Sequence, residues 1–275
     1  MAEVVILDSQ AAAGSLAADL IEKVVRAKPN AVLGLATGST PLPVWHALAE
    51  RELELSSVRG FALDEYVGLP PGHPESYRAV ITREVVDPLG LTPSLVRVPG
   101  DDGGPIELAG ESYERAIVEA GGVDIQVLGI GRTGHIGFNE PGSSLASLTR
   151  VKTLTRPTRA DNARFFDSPD EVPMHCITQG IGTILRARHL LLLAFGEAKA
   201  EAIAGAVEGP VSAALPASVI QLHPNVTVID WEARAPEVEA ELSEGDGRVH
   251  LSTAKAKIFY TNLILEALGL PTMEG

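Results

Sequence analysis

The segment Gly129-Ile130-Gly131-Arg132-Thr133-Gly134-His135-Ile136-Gly137-Phe138-Asn139-Glu140 gathers residues that can move protons. An imidazole, His135, and a carboxylate, Glu140, stand five positions apart among glycines. A loop can fold the acid onto the ring and tune its proton affinity, as general acid–base catalysis requires. The same segment carries Gly-x-Gly-x-x-Gly at Gly129, Gly131 and Gly134, directly after an apolar run. A dinucleotide fingerprint would open a helix and be followed about 20 residues later by an acid ending a second strand. Here Gly137, Asn139 and Pro141 interrupt any helix, and no such acid follows. The loop is therefore read as an acid–base site and not as a nucleotide cradle.

Two further segments have matching chemistry. Thr37-Gly38-Ser39-Thr40-Pro41 offers a close backbone, hydroxyl donors and a proline suited to a first helical turn, which together make a phosphate site. A plain helix-capping turn has the same appearance. No Gly-Lys-Ser/Thr follows, so nucleoside triphosphate binding is unsupported. Asp64-Glu65 follows the apolar Phe61-Ala62-Leu63. Neighbouring strand residues point to opposite faces, so one of the two carboxylates should face a cleft and act as base on a carbon-bound proton. A solvated acidic pair is the competing reading. Arg164 and Lys199 are the candidate phosphate cations. Lys199 stands near an expected helix N-terminus, where the dipole gives a cation nothing, and an anionic ligand would explain that placement.

Other chemistries find little support. Neither His-x-x-x-His nor His-Glu-x-x-His occurs, and Gly-x-Ser-x-Gly is missing. Cys176 is the one cysteine, which excludes an intrachain disulfide and a thiolate metal cluster. No metal and no cofactor is expected. The formal charge of −14 argues against a general nucleic-acid or membrane-surface binder, although a few cations in one cleft can hold one phosphate. The N-terminal residues lack the pattern of a signal peptide, and no uncharged apolar run reaches the ~18 residues of a membrane span. A cytoplasmic location is the expectation, and Asn225-Val226-Thr227 then carries no meaning as a glycosylation sequon.

Strands alternate with helices along the chain. Strands are expected at Val4–Leu7, Ala31–Leu35, Phe61–Leu63 running into Asp64-Glu65-Tyr66, Val123–Ile130, Leu190–Phe195 and Val226–Trp231. Helices are expected at Gln10–Ala27, Pro43–Glu52, Ile106–Ala120 and Glu197–Val207, with a last one from Ser252 after an acidic surface segment, Glu237–Arg248. This order predicts a doubly wound, mostly parallel α/β sheet with helices on both faces, Rossmann-like and in a single domain. Ligands of such sheets bind beyond the carboxyl ends of the strands. The three polar segments all follow expected strands, so they should converge at that edge.

In this order, the segments resemble the glucosamine-6-phosphate deaminase family. The matching stretches are Leu33–Pro41, Leu63–Pro70, His73–Tyr77, Gly134–Pro141, Ser143–Ser147, Thr149–Thr155, Asn162–Phe166, Val207–Gly209 and Gln221–Pro224, nearly the whole chain. The resemblance implies conversion of glucosamine 6-phosphate and water to fructose 6-phosphate and ammonia, in amino-sugar catabolism. It assigns Asp64 as the enolising base, His135 as the ring-opening acid/base and Glu140 as the carboxylate that orients it. Thr37, Gly38, Ser39, Thr40, Arg164 and Lys199 match the phosphate pocket. One position departs from the pattern. Two residues before the histidine the family carries Asp, or Asn in some members, and here it is Thr133. Threonine can hydrogen-bond an imidazole but cannot stabilise an imidazolium as Asp does.

Ser144, Arg150, Lys152 and Thr153 match part of an intersubunit site for the activator N-acetylglucosamine 6-phosphate. The C-terminal segment completing that site is not clearly matched by Phe259-Tyr260, which leaves regulation and homo-oligomer formation open. Residues 1–275 are taken as one sugar-phosphate deaminase/isomerase domain with a lid over about 154–176. Two alternatives share the fold. A 6-phosphogluconolactonase-like hydrolase is disfavoured by Asp64-Glu65-Tyr66 together with Phe138-Asn139-Glu140-Pro141. A sugar-phosphate sensor would need a fused helix-turn-helix, and residues 1–30 supply one helix.

Overall fold

Apolar residues fill Val32–Leu35 and Leu190–Phe195 almost without interruption, as in strands buried on both faces. The computed structural model, which describes residues 2–231 and 249–251, places both inside one large sheet. The expected last helix from Ser252, the acidic segment 237–248 and Phe259-Tyr260 lie outside the described residues.

The elements follow in the order β1 (Ala2–Leu7), α1 (Gln10–Ala27), β2 (Val32–Leu35), α2 (Leu42–Ala49), β3 (Arg59–Ala62) and β4 (Asp64–Val67). Next come α3 (Tyr77–Ile81), which passes through a π turn into α4 (Asp87–Leu89), then β5 (Val96–Arg97), α5 (Ile106–Glu119) and β6 (Ile125–Gly129). The chain continues through β7 (Arg150–Thr153), α6 (Arg156–Asn162), β8 (His175–Thr178), α7 (Ile181–Ile184), β9 (Leu190–Phe195), α8 (Ala200–Val207), β10 (Val226–Trp231) and β11 (Val249–Leu251). No described helix is long and apolar enough to cross a membrane.

The large sheet has eight strands in the order β11-β1-β10-β9-β6-β2-β3-β5. Every pairing in it is parallel except β11 against β1. This is the doubly wound α/β fold expected from the alternation of elements. From β2 the chain winds towards β3 and β5, then returns to β6 on the other side of β2 and winds towards β9 and β10. The winding reverses between β2 and β6, where adjacent loops diverge and open a crevice.

A second sheet, antiparallel and in the order β4-β8-β7, was not foreseen. The segment Phe61–Tyr66 is not one strand ending on acids. β3 stops at Ala62, and after Leu63 the chain enters β4, so Asp64 and Glu65 begin a strand of the small sheet. β7 and β8 carry too little apolar alternation to be visible as strands: Arg150–Thr153 reads Arg-Val-Lys-Thr. The small sheet has its own core of Tyr66, Phe138, Leu154 and Cys176, with Leu69, Tyr77 and Phe166 packed against it.

The alternation of β4 sorts its two acids. Glu65 does not reach the cleft but accepts backbone N–H groups from Tyr66, Tyr77 and Arg78, at 2.7, 2.8 and 2.8 Å. It thereby pins the first turn of α3 to the small sheet, beside the Ser76 side chain that caps the helix. Glu65→Ala leaves these donors without their acceptor and is expected to lower stability by about 2–3 kcal/mol, read as a reduced urea midpoint at unchanged slope. An unchanged midpoint would show that the three N–H groups find other partners.

Candidate active site

Beyond the carboxyl ends of β2, β6 and β9 lies a cleft of about 610 Å³. The loop after β2 contributes Thr37, Gly38, Ser39 and Thr40 and leads through Pro41 into α2. Gly38 takes a positive φ of 93°, which turns the backbone at the point where the chain leaves the strand. From β6 come Gly129, Ile130, Gly131, Arg132 and His135. Lys199, the residue capping α8, enters after β9. The facing wall is built by the segment after β7, with Thr158, Asp161 and Asn162 from α6 and Arg164, Phe165 and Phe166 beyond it.

The His135 loop is tightly folded. Gly131 N–H donates to the His135 carbonyl at 2.9 Å, and Gly134 N–H to the Gly131 carbonyl at 2.9 Å. A Cβ on Gly131 would lie 2.1 Å from the imidazole, so glycine is required there for the ring to fit. Behind His135 stand Glu140 and Thr133. The Glu140 carboxylate lies 3.4 Å from His135 Nδ1, and Thr133 Oγ1 is 2.9 Å from the same nitrogen. Thr133 Oγ1 also donates to Glu140 Oε2 at 3.2 Å, while Thr158 and Thr155 donate to Glu140 Oε1. Burial opposes the charge on Glu140, but the bonds from His135, Thr158 and Thr133 outweigh it and hold the carboxyl down at about 2.

An ionised Glu140 only accepts, and a hydroxyl has one proton to give. Thr133 spends that proton on Glu140 and must then accept from His135 Nδ1–H. The imidazole is left with Nε2 unprotonated, ready to take a proton in the cleft. Threonine at 133 thus completes the chain from acid to ring without adding a charge.

Asp64 has the opposite environment. It is buried at the base of the cleft, and no described residue donates a hydrogen bond to its carboxylate. Burial, with Glu65 next in line adding like charge, pushes the carboxyl up to about 8. Tyr66, Tyr77, Phe138 and Phe166 form an aromatic wall beside it, with Tyr66 4.8 Å from Tyr77 between ring centres and Tyr77 stacked on Phe138 at 6.0 Å. Lys199 has its proton affinity lowered by burial and then by Arg132, with Asp161 pulling the other way and Arg164 adding a smaller push. Such a crowd of cations beside hydroxyls and free backbone is suited to an anion.

Thr37, Gly38, Ser39, Thr40, Asp64, His135, Arg164 and Lys199, all singled out from sequence, therefore line one cleft. Glu140 and Thr133 stand behind His135. Ser144, Arg150, Lys152 and Thr153 do not line it; the last three lie on β7. The sequence reading passed over Arg132, Asp161 and Tyr77, although Arg132 is inside the loop it dwelt on. Thr155 and Thr158, which flank Arg156-Pro157 at the i, i+3 spacing of a helix cap, were also missed.

A family described as glucosamine-6-phosphate isomerases/6-phosphogluconolactonase matches residues 8–231. The chain belongs to this family. Glucosamine-6-phosphate deaminase of Bifidobacterium longum (strain DJO10A) is 59% identical over 247 residues, covering 85% of this chain and 92% of the relative. The protein of the same name from Streptomyces coelicolor is 54% identical over 242 residues, covering 86% and 93%. Among solved structures, a monomeric glucosamine-6-phosphate deaminase superposes with a TM-score of 0.81 at 39% identity, covering 83% of this chain and 97% of the other. The 6-phosphogluconolactonase of Thermotoga maritima, at 20% identity and a TM-score of 0.67, shares the fold.

Within this family fold, the cost of ionising Asp64 should be visible in stability. An unfolded Asp loses its proton near pH 4, about four units below the folded value. Between those values the folded state holds a proton the unfolded chain has released, so stability is lost as pH rises through the window to about 8. Asp64→Asn removes this dependence. Its melting temperature should match the parent's near pH 4 and exceed it increasingly towards pH 8. Parallel pH–melting curves for the two proteins would show that Asp64 is ionised throughout.

Proposed function

We propose that the chain catalyses the isomerising deamination of glucosamine 6-phosphate, with water as co-substrate and fructose 6-phosphate and ammonia as products. The observation carrying this reading is that one cleft holds a dry carboxylate and an oriented imidazole, with a cradle of hydroxyls and cations beside them. A sugar phosphate anchored by Thr37, Gly38, Ser39, Thr40, Arg164 and Lys199 would be held for both proton carriers. The names of the relatives support the same substrate.

In this reading His135 Nε2 takes the proton of the anomeric hydroxyl and returns one to the ring oxygen, opening the sugar to its aldehyde. Glu140, through Thr133, holds the ring and balances the transient imidazolium. Asp64 then removes the proton from the second carbon while the substrate ammonium passes one to the aldehyde oxygen, leaving an enolamine, and Asp64 delivers its proton to the first carbon. The resulting imine at the second carbon adds water and expels ammonia, which closes the balance. The proton on the second carbon is only weakly acidic, and the dry, like-charged surroundings of Asp64 make it a stronger base than in water. The segment 154–176, expected as a lid, supplies the wall that would exclude solvent. A lactonase has no use for a base raised in this way, and a sensor needs neither proton carrier.

Ammonia release from glucosamine 6-phosphate, compared with galactosamine 6-phosphate and unphosphorylated glucosamine, tests the reading. Turnover is expected with the first and is lost in Asp64→Asn, which should still bind inorganic phosphate. Binding of all aminosugar phosphates without any ammonia would refute it. Because the base must be unprotonated, kcat/KM should fall roughly tenfold per unit as pH drops below about 8. Glu65→Gln, by removing the neighbouring charge, should move that limb to lower pH, whereas titration of the substrate amine would leave it in place.

Thr133→Val retains shape but breaks the acid–ring chain. We expect kcat lower on the order of tenfold at nearly unchanged KM, through loss of the Nδ1–H tautomer. An unaltered kcat would mean that Glu140 orients His135 directly across its 3.4 Å separation.

A further inference from the structure

Two cations lining the cleft are left unused by the sugar-phosphate reading, Arg83, which is held by the Pro74 carbonyl and Glu84, and Arg132. Arg132 follows Gly131 in the His135 loop, and its single described partner is Asp161 on the facing wall. The pairing is lopsided. Both Asp161 oxygens converge on Nη2, at 2.9 and 3.2 Å, instead of meeting two nitrogens in the parallel fork that strong Arg–carboxylate pairs adopt. Nε and Nη1 donate to no described residue. The side chains are 61% and 54% exposed, and an open pair of this kind contributes little to stability. It is therefore easily exchanged.

The neighbourhood suggests what would replace it. Arg132 and Arg164 are close enough to Lys199 to lower its hold on its proton, and Asp161 is the one carboxylate acting against them there. Three cations and one carboxylate leave two positive charges, the charge of a phosphate monoester near neutral pH. In a chain of formal charge −14, three cations gathered around Lys199 are a local concentration of positive charge.

We propose that Arg132 is a third phosphate-gripping side chain, parked on Asp161 in the empty cleft and transferred to the phosphate of the substrate when it binds. The proposal rests on the sugar-phosphate reading of the cleft. Binding then swaps an exposed carboxylate for a dianion with three acceptor oxygens, so the fork of Arg132 gains a second hydrogen bond. It also engages both walls at once, since Arg132 belongs to the loop after β6, whereas Arg164 follows Asp161 on the opposite side. No covalent step is involved.

Titration calorimetry of the full chain with inorganic phosphate tests this. Lys199→Met should weaken binding and reports on the cleft itself. Arg132→Gln should weaken it about tenfold, the loss of one charge-assisted contact, with Arg132→Lys in between. Asp161→Asn should tighten binding several-fold, and the gain should largely vanish when Arg132→Gln is added. If Lys199→Met weakens binding but Arg132→Gln does not, Arg132 is a surface ion pair and the sugar-phosphate reading survives. If Asp161→Asn tightens binding equally with and without Arg132, Asp161 acts by charge alone and the exchange is overturned. If the parent binds no phosphate, or Lys199→Met has no effect, the cleft reading and this proposal fall together.

Discussion

Strands that run in one direction release their loops at one edge, and everything chemical in this protein follows from that constraint. The loops after β2, β6 and β9 have no choice of side. The reversal of winding between β2 and β6 then separates the loop of residues 37–40 from the His135 loop and opens a crevice between them. Neither loop needs a long excursion to reach the other. Gly38 and Gly131 are the local consequences: one lets the chain turn as it leaves its strand, and the other lets an imidazole lie flat on the backbone.

Two carboxylates in the same small volume are driven apart in acidity by what surrounds them. Asp64 meets aromatic rings and a second acid, and receives no described hydrogen bond. Glu140, equally buried, is surrounded by hydroxyls and an imidazole. Burial opposes the charge on both, and only Glu140 has the donors to overcome it. This contrast separates the two groups at neutral pH, where Asp64 largely holds its proton and Glu140 stays charged beside the ring.

Much of this is written in local sequence. The large sheet could be read because buried parallel strands such as Leu190–Phe195 announce themselves by composition alone. The His135–Glu140 pair could be read because glycines bring residues five apart into contact. The small sheet could not. Its strand β4 pairs with β8 across more than a hundred positions, Asp64 with Thr178, and β7 reads Arg-Val-Lys-Thr, with a single apolar residue, as any solvated loop might. The roles of Thr155 and Thr158 were hidden for a related reason: a capping threonine looks the same whether its hydroxyl serves only its own helix or a distant carboxylate as well.

The joint between the two sheets is one residue long, Leu63. Since side chains alternate along β4, the carboxylate that meets the cleft is fixed by whether the count from Ala62 is odd or even. Insertion of one residue at this joint would turn Glu65 inwards and Asp64 towards α3, exchanging a proton carrier for a helix anchor without altering composition. On the proposed mechanism, the identity of the base is a matter of parity. Two adjacent acids, nearly interchangeable as chemistry, are told apart by arithmetic that the backbone performs.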